Sequence, residues 1–124
     1  MKFFLILLIP ILICCKALHV NKTDCNENIK FKETFFYHIK YVENNIGSSQ
    51  DSMFRKSVIF ISNYAPVSLN RIMNYSRTYP LGIFQQDRIK WMEWYEQNKC
   101  KNIQFKDTYI IPEVYQNSNA SHQN

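Results

Sequence analysis

Between Gln86 and Lys101 the chain reads QDRIKWMEWYEQNKCK, the stretch that most limits what it can fold into. Trp91, Trp94, Tyr95 and Asn98 recur at spacings of three and four, while Arg88, Lys90, Glu93, Glu96 and Lys99 occupy most of the remaining turns. A helix separates these two sets onto different faces, so the pattern predicts a helix whose aromatic side closes a core. A chain of 124 residues has room for one small domain around such a helix. Aromatic residues are abundant and there are only two glycines, a composition suited to folding and not to disorder.

The rest of the chain follows the same period. Phe35, Ile39, Val42 and Ile46 fall at steps of four, three and four, with Phe31, Phe36 and Tyr37 widening the stripe, which predicts a first helix over 29–46. Gly47, followed by two serines, is a candidate stop in the left-handed conformation. Ser49 or Asp51 can cap a second helix over 52–63 with Phe54, Val58 and Ile61 on its inner face; the β-branched run from Val58 to Ile61 keeps a buried strand as the alternative. Pro66 ends that element. A short third helix is expected over 67–75, using Leu69, Ile72 and Met73, and then a loop over 77–84 around Pro80 and Gly82. After Cys100, residues 103–111 alternate weakly and suggest an extended segment, and 112–124 read as a flexible tail. The expected fold is mainly α, a three- to four-helix domain over 27–111 with a short extended C-terminal segment.

The first fifteen residues, MKFFLILLIPILICC, place one lysine before an apolar run and read as a cleaved signal peptide, too short to span a membrane as a helix. Its end supports two readings. Leu12-Ile13-Cys14-Cys15 resembles the lipobox of bacterial lipoproteins, with Cys15 as the acylated residue and Cys14 where a small residue normally stands; this reading anchors the protein to a membrane through lipid. Alternatively, Cys15-Lys16-Ala17 offers small residues to an ordinary signal peptidase, releasing a soluble chain that starts near Leu18. Residues 16–26 form a polar linker. Cys25 and Cys100 remain after processing, and in an oxidising compartment two such cysteines are expected to bridge, closing a loop of roughly 75 residues for about 4 kcal/mol in the chain-entropy model; free thiols are the alternative. Neither lies in a CxxC or beside a histidine, so redox catalysis and metal binding have no support in the sequence.

FISNYAP, a loop containing YP, and DRIKWMEWYEQNK together resemble small uncharacterised bacterial envelope proteins and HEAT-like terminal segments. Their last helix runs D, three residues, W, two residues, W-Y, then N-K. Asp87, Trp91, Trp94, Tyr95, Asn98 and Lys99 match it over about 60–101. The pattern commonly has Ser or Thr three residues before the aspartate, where this chain has Phe84. The resemblance implies export and a helical fold, and no activity.

Few side chains point to chemistry. His19 and His122 fall in the ends, and His38 lies within the first helix with no nameable partner, although catalysis requires one within hydrogen-bond reach. Glu93 and Glu96 share a helix face, as a two-carboxylate site requires, but a solvated face among Arg88, Lys90 and Lys99 is the simpler reading. Trp91, Trp94 and Tyr95 are the candidate binding surface, able to stack on sugar rings, against the plainer role of filling the core. Asn21, Asn74 and Asn119 begin N-glycosylation acceptor triplets, which matter only in a eukaryote. The net charge of +5 is spread over single lysines and short pairs, so no nucleic-acid stripe is expected. The expected function is non-catalytic: a binding or structural protein at the cell envelope, using no cofactor, with a protein or glycan partner. An immunity-like inhibitor of a toxin or enzyme, and a small envelope hydrolase, are the alternatives.

Overall fold

The computed structural model describes residues 24–117. The signal peptide, Cys15, most of the linker, His19, His122 and the Asn21 and Asn119 triplets lie outside the described residues. Among the described residues there are four helices: α1 (Ile29–Asn44), α2 (Ser52–Ser62), α3 (Leu81–Asn98) and α4 (Glu113–Gln116). The mainly α expectation holds, and among the described residues no sheet forms; the sole strand-like feature is an isolated parallel bridge between Asn26 and Lys101.

Local chemistry starts the first two helices. The Asn28 side chain accepts from the Phe31 N–H, and Asp51 accepts from the Phe54 N–H at 2.6 Å, each satisfying a donor that has no partner within its helix. The stripe Phe31, Phe35, Ile39 and Val42 buries against Phe54, Val58, Phe60 and Ile61 of α2, so the run at Val58 is helical and not a strand. Tyr37, expected to widen the buried stripe, is exposed instead. Gly47 is not a left-handed stop, because no glycine has positive φ; α1 ends two residues earlier, where the Asn45 N–H donates to the Val42 carbonyl and Asn45 Nδ2 to that of Tyr41.

Two boundaries depart from expectation for one reason. The predicted helix over 67–75 is a chain of turns, in which Leu69 N–H donates to Val67 and Arg71 N–H to Ser68. Asn74 takes such a local bond, its Oδ1 accepting from the Thr78 N–H at 2.9 Å, while the Ser68 N–H and hydroxyl both go to Asp87 on α3. Conversely, residues 81–84 of the predicted loop belong to α3. Pro80 supplies the capping carbonyl, 2.9 Å from the Phe84 N–H, and extension of the helix buries Phe84 against Tyr79 and Trp91. In both cases a distant partner decides the outcome: the turns lie against α3, and the added turn of α3 reaches back to them.

Residues 102–111 run without regular structure across the end of α2. Asn63 holds this strap by pairing its side-chain amide with both the N–H and carbonyl of Ile110, and the Tyr64 hydroxyl accepts from the Lys106 N–H at 2.8 Å. The described part of the expected flexible tail departs from that expectation: Glu113–Gln116 form a helical turn and Tyr115 is buried, its hydroxyl donating to Gln50 Oε1 at 2.6 Å.

Candidate functional site

The aromatic face of α3 is interior. Trp91 is 0% and Tyr95 2% exposed, and partly buried Trp94 packs 5.3 Å from Phe35 and 6.1 Å from Tyr64, ring centre to ring centre. Their polar tips are engaged as well. Trp91 Nε1 donates to the Pro66 carbonyl at 2.8 Å, and the Tyr95 hydroxyl donates to Glu27 Oε1 at 2.6 Å. The Tyr95 hydroxyl is raised above the ordinary tyrosine range by burial and then by Glu27, whose own carboxyl is held low chiefly by that bond. Trp91 and Tyr95 therefore offer no ring face to a sugar.

The most concentrated polar cluster is one that sequence reading missed. Asp87 is fully buried and accepts from the Ser68 N–H at 2.9 Å, the Ser68 hydroxyl at 2.6 Å and the Tyr79 hydroxyl at 2.6 Å. Burial, and then the facing Asp87, push the Tyr79 hydroxyl far above its ordinary range. The signal was present in the spacing, since Asp87 continues the Trp91 and Tyr95 face one turn earlier. An acid on an apolar face calls for donors, but Ser68 lies in a stretch read as a separate helix and Tyr79 in one read as a loop. With all three donors spent on it, the carboxylate fixes the loop in place.

His38 acquires the partner that the sequence could not name: its Nδ1 lies 3.0 Å from Ser57 Oγ, across the contact of α1 with α2. A serine and histidine in this relation form two parts of a hydrolytic triad. Ser57, however, is fully buried, and among the described residues no carboxylate hydrogen-bonds the His38 ring. Burial, with Lys56 alongside, pulls the imidazole down to about 4, so it is neutral at pH 7 and serves as an interhelical strut. Glu93 and Glu96 stand on the solvated side of α3, and Glu96 pairs with Lys99 at 2.5 Å. Asn74 is exposed and binds Thr78 through both ends of its amide.

Some large apolar side chains also stand exposed on the surface. Leu81 and Ile89, each 58% exposed, flank a shallow groove of about 530 Å³ with Ile46 and Phe84 on its walls. It lies where the end of α1 meets the start of α3. Across it Arg88 Nε sits 3.2 Å from Glu43 Oε1 without making a hydrogen bond, and both side chains are about two-fifths exposed, so this pair adds little stability.

At the opposite end of α1 and α3, the Cys25–Cys100 disulfide joins chain segments whose Cα atoms are 4.4 Å apart. The Asn102 N–H donates to the Asn26 carbonyl at 2.8 Å, and Asn28 Nδ2 to that of Ile103 at 2.7 Å, so backbone and side chain hold the two segments together beside the bridge. Among the described residues no helix is long and apolar enough to cross a membrane, and no cluster of candidate metal ligands occurs. No protein-family model matches the chain, and neither a curated protein nor a solved structure does.

Proposed function

We propose that the chain is an exported, lipid-anchored, non-catalytic binding or structural protein of the cell envelope, of the kind that the motif from Asp87 to Lys99 resembles. One observation carries the choice of binding over catalysis: the groups capable of chemistry hold the fold together, while apolar side chains stand in solvent. Asp87, His38 and Tyr95 each hold one chain segment to another, whereas Leu81 and Ile89 are exposed at a groove. Scattered apolar residues are ordinary on a surface, but a pair flanking a concavity favours contact with a partner. The address comes from the leader, with Cys15 as the acylated residue; a disulfide in the mature domain agrees with an oxidising compartment outside the cytoplasm.

Affinity capture from the native envelope tests the binding role. A partner retained by the wild-type chain and released by Leu81→Asp with Ile89→Asp supports it; equal retention by both sinks the groove as the contact. An inhibitor of a toxin or enzyme would use the same pair in a tight stoichiometric complex. The hydrolase alternative requires turnover that disappears with His38→Gln or Glu93→Gln.

A further inference from the structure

We infer that the groove is filled by a second copy of this chain, whose Tyr75 enters it while Arg77 of that copy reaches Glu43, and that a two-fold axis lets the two copies do this to each other. The inference names the partner of the groove already read as a contact surface, and it rests on that reading.

The knob is the turn over 74–78. Tyr75 is 104% exposed, more than any other large apolar side chain among the described residues, so its ring packs on nothing in its own copy. The turn beneath it is nonetheless held firmly. Asn74 Oδ1 accepts from the Thr78 N–H at 2.9 Å, Asn74 Nδ2 donates to Thr78 Oγ1 at 2.7 Å, and the Arg77 N–H donates to the Asn74 carbonyl at 3.0 Å. From outside the turn, the Gln50 N–H donates to the Arg77 carbonyl at 3.0 Å. Arg77 has φ of 57°, the left-handed region that residues with a side chain resist and keep only where their surroundings impose it. A ring carried on so fixed a turn loses little freedom on entering a partner, which is what makes a tyrosine an effective anchor.

The groove complements this knob. Ile46, Leu81, Phe84 and Ile89 give it apolar walls, its volume of about 530 Å³ leaves room for an aromatic ring, and Glu43 supplies a carboxylate. Arg88 approaches that carboxylate without making a hydrogen bond, so Glu43 can accept from an incoming guanidinium. Turn and groove share one end of the molecule. The Arg77 carbonyl is bonded to Gln50, four residues beyond Ile46, and Leu81 follows Thr78 by three residues. A face with a knob beside a hole fits its own copy, because a two-fold rotation sets each knob against the other's hole. Charge does not oppose the pairing: Arg71, Arg77 and Arg88 against Glu43 and Asp51 leave this end close to neutral, so a copy is not repelled. The contact is small, and association is expected between about 1 μM and 1 mM.

The test uses the full chain, purified with its native processing, as two populations that each carry one new cysteine: Ser76→Cys beside the ring and Gln85→Cys in the groove. Under mild oxidation the mixture should form a disulfide between position 76 of one copy and position 85 of the other, identified by peptide mass. It should form several-fold faster than the corresponding link in a mixture of Ser76→Cys with Lys30→Cys, whose cysteine lies at the other end of α1. Tyr75→Ala in the first population should return the rate to that of the control while leaving the denaturation midpoint unchanged. Arg77→Glu in the first population should slow the linkage several-fold, and Glu43→Arg in the second should restore it. Linkage no faster than the Lys30→Cys control, or indifferent to Tyr75→Ala, overturns the second copy as occupant. In that event, release of a different protein in envelope capture by Leu81→Asp with Ile89→Asp leaves the groove standing as a contact surface, and no release removes both.

Discussion

α2 and the segment that follows it, residues 63–80, are neighbours in sequence and both contribute buried apolar side chains, yet they are held in opposite ways. α2 is self-sufficient: Asp51 caps its first turn, its ladder closes within the helix, and Phe54, Val58 and Ile61 emerge on one face. The following segment closes some backbone bonds in its own turns and exports others. The Ser68 N–H goes to Asp87, the Pro66 carbonyl accepts from Trp91, and Gln50 takes both the Ile72 carbonyl, through Nε2, and the Arg77 carbonyl, through its N–H. A buried backbone group must be paired somewhere. Here the pairing sits on α3 and on the turn before α2, so the conformation of this segment depends on residues far away in the chain.

That contrast is broken or sharpened by substitutions on α3. Trp91→Ala should cost about 3–5 kcal/mol in chemical denaturation, removing a fully buried indole and leaving the Pro66 carbonyl without its donor. A variant close to wild-type stability would return Trp91 to the role of a binding surface. Asp87→Ala should cost about 3 kcal/mol, because it strands the Ser68 N–H and two hydroxyls in a dry site. Its signature should be local. Amide exchange should rise first over 66–79, and a uniform rise along α1 and α2 would mean that the segment is not separately anchored.

Local rules were enough for one part of the fold and not for the other. Asp51 announces its helix because a capping side chain and the donor it serves lie three residues apart, whereas the Asn28 cap emerges only in the structure; the stripes of α1 and α2 read directly as burial, Tyr37 apart. Leu69, Ile72 and Met73 were correctly read as inward-facing, since Ile72 is fully buried and the other two are partly so. Their helical spacing misled because turns can bury the same residues when carbonyls find partners elsewhere. Pro80 and Gly82 misled in the reverse direction: both are loop residues by propensity, and burial of Phe84 overrides them. Pairing of Cys25 with Cys100 was legible from count, since these are the two cysteines left once the expected leader is set aside. The Asp87 cluster was not, because its acceptor and donors are nineteen and eight positions apart and no local pattern links them.

A smaller effect separates struts made of side chains from those made of backbone. His38 is neutral in the folded chain down to about pH 4, while an ordinary histidine gains its proton near 6.5. Between these values the unfolded chain binds a proton that the folded chain refuses, so stability present above about pH 6.5 declines as pH falls and the loss is complete near 4. The side chain is only partly buried, which limits the loss to about 1–2 kcal/mol. Denaturation midpoints across this range should flatten in His38→Gln, which keeps a hydrogen-bonding group near Ser57. An unchanged slope would assign the pH dependence to other groups.

The smallest expected effect tests the self-sufficiency of α2 itself. Asp51 Oδ1 accepts from the Phe54 N–H at 2.6 Å and Oδ2 from the Tyr41 hydroxyl at 3.0 Å, and the first of these bonds is the main reason its carboxyl stays below the ordinary range. Asp51→Ala should cost about 1 kcal/mol, and Asp51→Asn less, because an amide oxygen caps a helix nearly as well. Exchange should quicken at the amides of Phe54 and Arg55 and stay unchanged over 66–79. Adjacent Gln50 makes this a demanding control, since its own N–H and side chain hold the Arg77 and Ile72 carbonyls. If loss of the cap also loosens 66–79, the start of α2 and the turns that follow it form one cooperative unit, and Gln50 is the residue that couples them.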